Sequence, residues 1–214
     1  VKDVPGFYVN RCLGPILAEV SALVKEGVPL EKLDGAMKSF GMPVGPITLM
    51  DEVGVDVASK VSSYLAAADL GVRMGGGDLS LLSGMVDKGW LGRKSRQGFY
   101  TYAGKEGKTL GPEVRAYLAD FTEGRVSALG ETEIQDRIAA RLVNEAATCL
   151  QDEVIRNPGD GDVGLVLGIG FAPFKGGPFR HLYAVEMASY VDRMHGLAET
   201  LGPQFEPCQL LKDY

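Results

Sequence analysis

Apolar residues near the start of the chain recur at helical steps. Val9, Cys12, Leu13, Ile16, Leu17, Val20 and Val24 fall three or four positions apart and gather on one helix face. Gly27 and Pro29 end this segment. Pro15 lies inside it and cannot donate to the Arg11 carbonyl, which predicts a kink near the first turns. The same reading places helices near 30–40, 45–69, 78–87, 112–121, 132–156, 160–169 and 178–200. No convincing series of period-two strands is present. The short alternation Gly98-Phe99-Tyr100-Thr101-Tyr102 predicts one extended segment. The pattern as a whole is that of an all-α protein.

Ala103 to Pro112 holds three glycines, a proline and several charges, and reads as a linker that divides the chain almost in half. The two halves resemble each other. Arg11 leads a helix, then comes Leu33-Asp34, then Phe40-Gly41-Met42-Pro43-Val44-Gly45-Pro46. Arg141 leads a helix, then comes Gly161-Asp162-Val163, then Gly170-Phe171-Ala172-Pro173-Phe174-Lys175-Gly176-Gly177-Pro178. A shared Phe, Pro and Gly-Pro ending after a helical hairpin predicts two copies of one helical unit, residues 1–104 and 112–214, packed together.

Composition narrows the function. The chain has 214 residues, 45% of them hydrophobic and 23% charged, enough for a core without disulfides or metals. A net charge of −6 argues against a general affinity for nucleic acid or anionic membrane. The opening residues lack both an initiator Met and an apolar signal segment, so a piece of a longer protein without a signal peptide is expected. Cys12, Cys149 and Cys208 are far apart in sequence, which fits a reducing compartment. His181 and His195 do not have the spacing of helical metal ligands, so no metal site is expected.

Most short motifs fail on inspection. Gly168-Ile169-Gly170 lacks the third glycine and the βαβ setting of a dinucleotide loop, and reads as a helix end. Gly92-Arg93-Lys94-Ser95 does not meet the phosphate-loop spacing. Asp51, Glu52 and Asp56 read as a solvated face or as helix N-terminal charges. Two segments carry chemistry. In Val4-Pro5-Gly6-Phe7-Tyr8-Val9-Asn10-Arg11 a turn delivers Asn10 at a helix start. There it either caps the helix or points its amide into a cleft, where it can donate and accept at once. In Lys88 to Tyr100 four cations are interleaved with glycine and aromatics, which suits a flexible arm reaching a small anion or a cofactor edge.

These motifs in this order resemble a known family. Pro5-Gly6-Phe7, Asn10-Arg11, Pro43, Gly45-Pro46, Asp51, Val53-Gly54, Asp56, Gly92-Arg93-Lys94-Ser95 and Gly98-Phe99-Tyr100 look like the C-terminal domain of 3-hydroxyacyl-CoA dehydrogenases. The second half resembles the second copy found in multifunctional fatty-acid oxidation proteins. Gly75-Gly76-Gly77 and the ending Phe205 to Leu211 look most like α subunits of mitochondrial trifunctional enzymes.

The resemblance implies two tandem copies packed as a pseudo-dimer behind a hydratase domain and an NAD-binding Rossmann domain. It implies NAD-dependent oxidation of an L-3-hydroxyacyl-CoA to the 3-ketoacyl-CoA, with the catalytic His and its Glu partner upstream of Val1. Asn10 matches the family's active-site Asn, and Lys94 matches a lysine that reaches bound NAD. Ala140 precedes Arg141 where Asn10 precedes Arg11, so copy one is expected to complete the active site and copy two to be structural. The isolated chain is expected to be inactive. The resemblance further implies an acyl-CoA substrate, a thiolase β subunit as partner, membrane association of the parent and a mitochondrial location. The competing expectation is a non-enzymatic helical dimerisation or assembly module, marked by a large exposed apolar patch.

Overall fold

The computed structural model describes residues 1–103 and 107–213. The centre of the expected linker, Gly104-Lys105-Glu106, and the expected domain end at 104 lie outside the described residues. Eleven α-helices and one two-stranded hairpin are present among the described residues. In the first half these are α1 (Val9–Lys25), α2 (Leu30–Phe40), α3 (Pro46–Val53), α4 (Val55–Ala67) and α5 (Ser80–Asp87). Strands β1 (Thr101–Tyr102) and β2 (Lys108–Thr109) pair antiparallel. The second half holds α6 (Pro112–Thr122), α7 (Glu131–Gln151), α8 (Pro158–Ile169), α9 (Pro178–Ala184), α10 (Met187–Leu201) and α11 (Gln209–Lys212).

Three expectations change. The predicted helix 45–69 is two helices, because Gly54 adopts φ 111° and turns the chain between α3 and α4. The predicted helix 178–200 is also two, broken at Val185 and at Glu186, which has φ 58°. Pro15 sits inside α1, which nevertheless runs unbroken from Val9 to Lys25. The extended segment near 98–102 is realised as β1, so the linker region carries a hairpin on its flanks.

The halves meet along α1 and α7, which pack against each other through the centre of the core. Cys12, Val20, Leu23, Ile134, Ile138, Val143 and Ala146 are fully inaccessible there. Charge is buried in the same seam. Arg11 Nε lies 2.5 Å from Glu145 Oε1, and its Nη2 lies 2.7 Å from Asp152 Oδ2. Arg137 Nε lies 2.6 Å from Glu19 Oε1, and both its terminal nitrogens lie 2.7 Å from Glu26.

Each arginine near the start of one helix therefore grips two acids along the other, so the helices are antiparallel. Glu19 and Glu26 follow Arg11 by 8 and 15 residues, and Glu145 and Asp152 follow Arg137 by the same 8 and 15. Steps of seven to eight return to one helix face after two turns. Reciprocal contacts of this kind are the signature of a two-fold interface. They also correct the alignment of the halves, since Arg11 corresponds to Arg137 and not to Arg141. The residue before Arg137 is Asp136, so the second half still lacks an Asn at this position.

A second device repeats. Asp34 Oδ1 accepts from the backbone N–H of Ile47 and Thr48, at 2.9 and 3.2 Å, at the start of α3. Asp162 Oδ1 accepts from Phe179 and Arg180, at 2.8 and 3.4 Å, at the start of α9. In both halves a Gly-Pro pair opens the helix, and a Cβ on Gly45 or Gly177 would lie within 2.4 Å of that aspartate. A carboxylate at a helix N-terminus answers N–H groups that have no partner inside the helix.

Two outcomes follow from these contacts. Glu19 faces Arg137 and, at 3.9 Å, Arg141, whose Nε and Nη1 have no hydrogen-bond partner among the described residues and whose burial lowers its pKa to about 10. Glu19→Gln should destabilise the fold by about 3 kcal/mol in urea titrations, as buried charges losing a partner do. A cost below about 1 kcal/mol, the surface-pair range, would contradict this account.

His181 is buried against Phe40, Phe171 and Tyr190. Burial, with Lys175 and Arg193 nearby, holds its imidazole down to about 4. The unfolded chain protonates this ring near pH 6.5, so the unfolded state binds more protons between those values. Stability is thus lost as pH falls from about 6.5 toward 4. His181→Phe should remove up to about 1.4 kcal/mol per pH unit of that loss. Equal slopes for both proteins in denaturation at several pH values would rule it out.

Candidate functional site

The candidate site is built around α4, which lines a groove beside Asn10 and pairs with Lys94 at its first turn. Ahead of α1, the Phe7 N–H donates to the Val4 carbonyl at 2.9 Å, closing a turn. Phe7 is held at φ 52°, a sparsely populated conformation for a bulky side chain. The turn sends neighbouring residues in opposite directions. Tyr8 is buried, and its hydroxyl donates to the Gly161 carbonyl of α8 at 3.1 Å. Phe7 and Asn10 are exposed.

Asn10 lies within α1, so it is not the helix cap, a position held by Tyr8. It borders an open groove of about 400 Å³ with Pro5, Phe7, Val61, Tyr64 and Leu65. Asn10 is exposed on a concave surface that the exposed aromatics Phe7 and Tyr64 also line.

Lys94 sits at the other end of α4. Arg93 to Ser95 form one 3-10 turn, closed by the Gly92 N–H on the Gln97 carbonyl at 2.8 Å. The Ser95 hydroxyl locks the turn, accepting from the Leu91 N–H at 2.9 Å and donating to the Gln97 carbonyl at 2.7 Å. Lys94 Nζ pairs with Asp56 in the first turn of α4, and its side chain remains 47% exposed. This ion pair holds the Asp56 carboxyl below its ordinary value. At 1.5 Å per residue, Asp56 and Tyr64 stand about 12 Å apart along the helix. Lys94 and Asn10 thus lie toward opposite ends of α4.

The basic loop is not the flexible arm that its composition suggests. Lys88 lies over the Trp90 and Tyr117 rings, and Arg93 faces Glu52 at 3.5 Å and the Tyr102 ring. A half-exposed ammonium with Arg93 and Arg96 alongside suits the edge of an anionic nucleotide, and not the whole of one. Gly168-Ile169-Gly170 forms the end of α8 and contributes no cradle. Among the described residues, no group of three or more His, Cys, Asp or Glu could hold a metal.

Asp51 is the residue whose role the sequence concealed. Read as part of a solvated acidic face, it is fully buried. Its carboxylate accepts from the backbone N–H of Phe99 and Tyr100 at 2.8 and 2.9 Å, and from the Tyr102 hydroxyl at 2.9 Å. Burial pushes its carboxyl above the ordinary range, against the lowering effect of these three donors. A Cβ on Gly92 or Gly98 would collide with it. Asp51 thereby hangs the whole Lys94 turn on α3. The available signal was its spacing to the glycines of Gly92 to Gly98, which only tertiary packing makes meaningful.

With this geometry in place, the comparisons decide the family. Residues 6–102 match the model of the 3-hydroxyacyl-CoA dehydrogenase C-terminal domain. This part of the chain belongs to that family. Over 208 residues, 97% of the chain, it is 43% identical to the fatty acid oxidation complex subunit alpha of Vibrio vulnificus. Over 213 residues, 99% of the chain, it is 42% identical to the protein of the same name from Idiomarina loihiensis. The chain spans only 28% and 29% of those relatives.

Among solved structures it resembles 3-hydroxybutyryl-CoA dehydrogenase from Escherichia coli K12, with a TM-score of 0.79 and 22% identity over 98% of this chain and 59% of that one. It also resembles the dehydrogenase part of multifunctional enzyme 1 from C. elegans, with a TM-score of 0.72 and 20% identity over 100% and 48%. These two likenesses establish that the helical fold of both halves is shared. The mitochondrial location implied by the resemblance is overturned, because the matching Vibrio and Idiomarina proteins are bacterial and bacteria have no mitochondria.

Asp51→Ala would strip the acceptor from two buried N–H groups and a hydroxyl. Urea unfolding should show a loss of about 3 kcal/mol. A variant as stable as the parent would mean that water replaces the carboxylate and that Asp51 does not anchor the turn.

Proposed function

We propose that this chain is the helical closing part of an NAD-dependent L-3-hydroxyacyl-CoA dehydrogenase, and that residues 1–104 complete its active site. The observation that carries this reading is that one helix, α4, lines the Asn10 groove with its later turns and holds Lys94 at its first turn. A Rossmann domain leaves its cofactor crevice open at the strand ends. Packing the helical domain across such a crevice excludes water from hydride transfer. When bound, NAD would supply the hydride acceptor for C3 of the substrate. The hydroxyl proton passes to a base on the upstream domain. Asn10 can donate from Nδ2 to the substrate oxygen and accept at Oδ1 from an imidazole, holding both in register. Lys94 supplies positive charge to the cofactor edge.

Residues 112–214 serve in this reading as the structural partner of the first copy. The parent would also carry a hydratase domain, act on acyl-CoA, engage a thiolase β subunit and associate with membrane through parts other than these helices. None of the described helices is long and apolar enough to cross a membrane. The chain alone should not turn over substrate, since the base and the main cofactor cradle would lie upstream.

One observation favours assembly as an additional role. A groove of about 810 Å³ in the second half is lined by Leu150, Phe174, Phe179, Tyr183, Met187 and Leu210, and Phe174 and Tyr183 are 76% and 87% exposed. Exposed apolar area of this kind marks contact surfaces.

In the intact parent enzyme, Asn10→Ala should lower kcat by about a hundredfold, as loss of a positioned polar donor does. An unchanged kcat would remove Asn10 from the mechanism and give the assembly reading the lead.

A further inference from the structure

The charge on Lys94 does not project freely. Its Nζ is tied to Asp56 Oδ1, and Asp56 is itself fixed. It occupies the first turn of α4, where a carboxylate meets the positive end of the helix dipole. Gly54 makes room for the pair. A Cβ there would stand 2.9 Å from Asp56 Oδ1 and 2.9 Å from Lys94 Nζ. From below, the Lys94 turn is fastened by Ser95 and by the backbone donors on Asp51. A lysine has a flexible four-carbon stem and loses much rotamer freedom when its tip is fixed. Here the backbone of the turn and the tip of the side chain are both held before any ligand arrives.

We propose that Asp56 is the positioning residue for Lys94, holding its ammonium at the head of α4 so that the dinucleotide meets a pre-placed charge. This rests on the reading of Lys94 as a cofactor contact. Asp56 acts through Lys94 and touches neither substrate nor cofactor. Its effect opposes its charge. An acid beside a binding lysine weakens the attraction for an anionic nucleotide, so removing it would tighten binding if the local field alone mattered. If positioning dominates, removing it weakens binding.

The test measures NADH affinity of the intact parent enzyme by fluorescence titration, with KM for NAD and kcat alongside. Asp56→Ala should raise the NADH Kd about fivefold, the scale of immobilising one long side chain on binding. KM for NAD should rise with it, and kcat at saturation should stay within about twofold. Asp56→Asn keeps the Oδ1 acceptor and should recover most of the affinity. In a Lys94→Met background, Asp56→Ala should have no further effect, because its role passes through Lys94.

An Asp56→Ala enzyme that binds NADH as well as the parent, or more tightly, overturns the proposal while leaving the Lys94 reading standing. Additive losses in the double variant also overturn it, by making Asp56 a general structural residue. A Lys94→Met enzyme with unchanged NADH affinity sinks the Lys94 reading itself, and the role of Asp56 with it.

Discussion

Two buried arginines, each held by two acids of the opposite helix, fix how the halves of this protein meet. Arg11 and Arg137 are both close to inaccessible, as are Glu145 and Glu19. Isolated charges could not remain there, since desolvation alone costs several kcal/mol per ion. Each pair is therefore tolerated only in the antiparallel register that brings an arginine to an acid at both ends. A slip of α1 against α7 by one turn would strand four charges in an apolar seam. The hydrophobic contacts between these helices supply attraction without direction, and the ion pairs supply the direction.

That register reaches the candidate site through a short path. Arg11 follows Asn10, and Tyr8 beneath the same turn bonds to α8 of the second half. Asn10 is thus set between two anchors, both of which end in the other half of the molecule. The Lys94 turn is held differently. It depends on Asp51 in α3 and Asp56 in α4, two carboxylates on either side of the Gly54 break. Of the acidic cluster read as a solvated face or as helix N-terminal charges, Asp56 is a part-exposed charge in the first turn of α4, while Asp51 is inaccessible.

The helices were legible in sequence because their apolar faces recur at the helical period, and α2 falls where the periodicity places it. Boundaries failed where a single backbone torsion decides them, at Gly54 and Glu186, since periodicity averages over several residues and cannot see one. The duplication was visible in the Gly-Pro endings. Its register was misread at Arg141 because that arginine also leads an apolar helical stretch. Only the partners of Arg137 distinguish the two. Asn10 and Lys94 were found through their ordered motif neighbours. Asp51 was missed because its partners, two backbone N–H groups and the Tyr102 hydroxyl, lie 48 to 51 residues away and meet it only through tertiary packing.

The seam between α1 and α7 has a further consequence for how this molecule can change over time. Two identical subunits meeting across a two-fold axis must alter both sides of their contact with every mutation. Here the two sides are separate stretches of one chain, so each can vary alone. Asn10 stands on one side with Asp136 at the matching place on the other, and Arg73 bonds Glu145 where Arg141 approaches Glu19. The ion pairs repeat across the contact while these neighbouring positions differ. Because the two sides are covalently joined, diluting the protein does not separate them. Tethering lets either side of this contact change without the other.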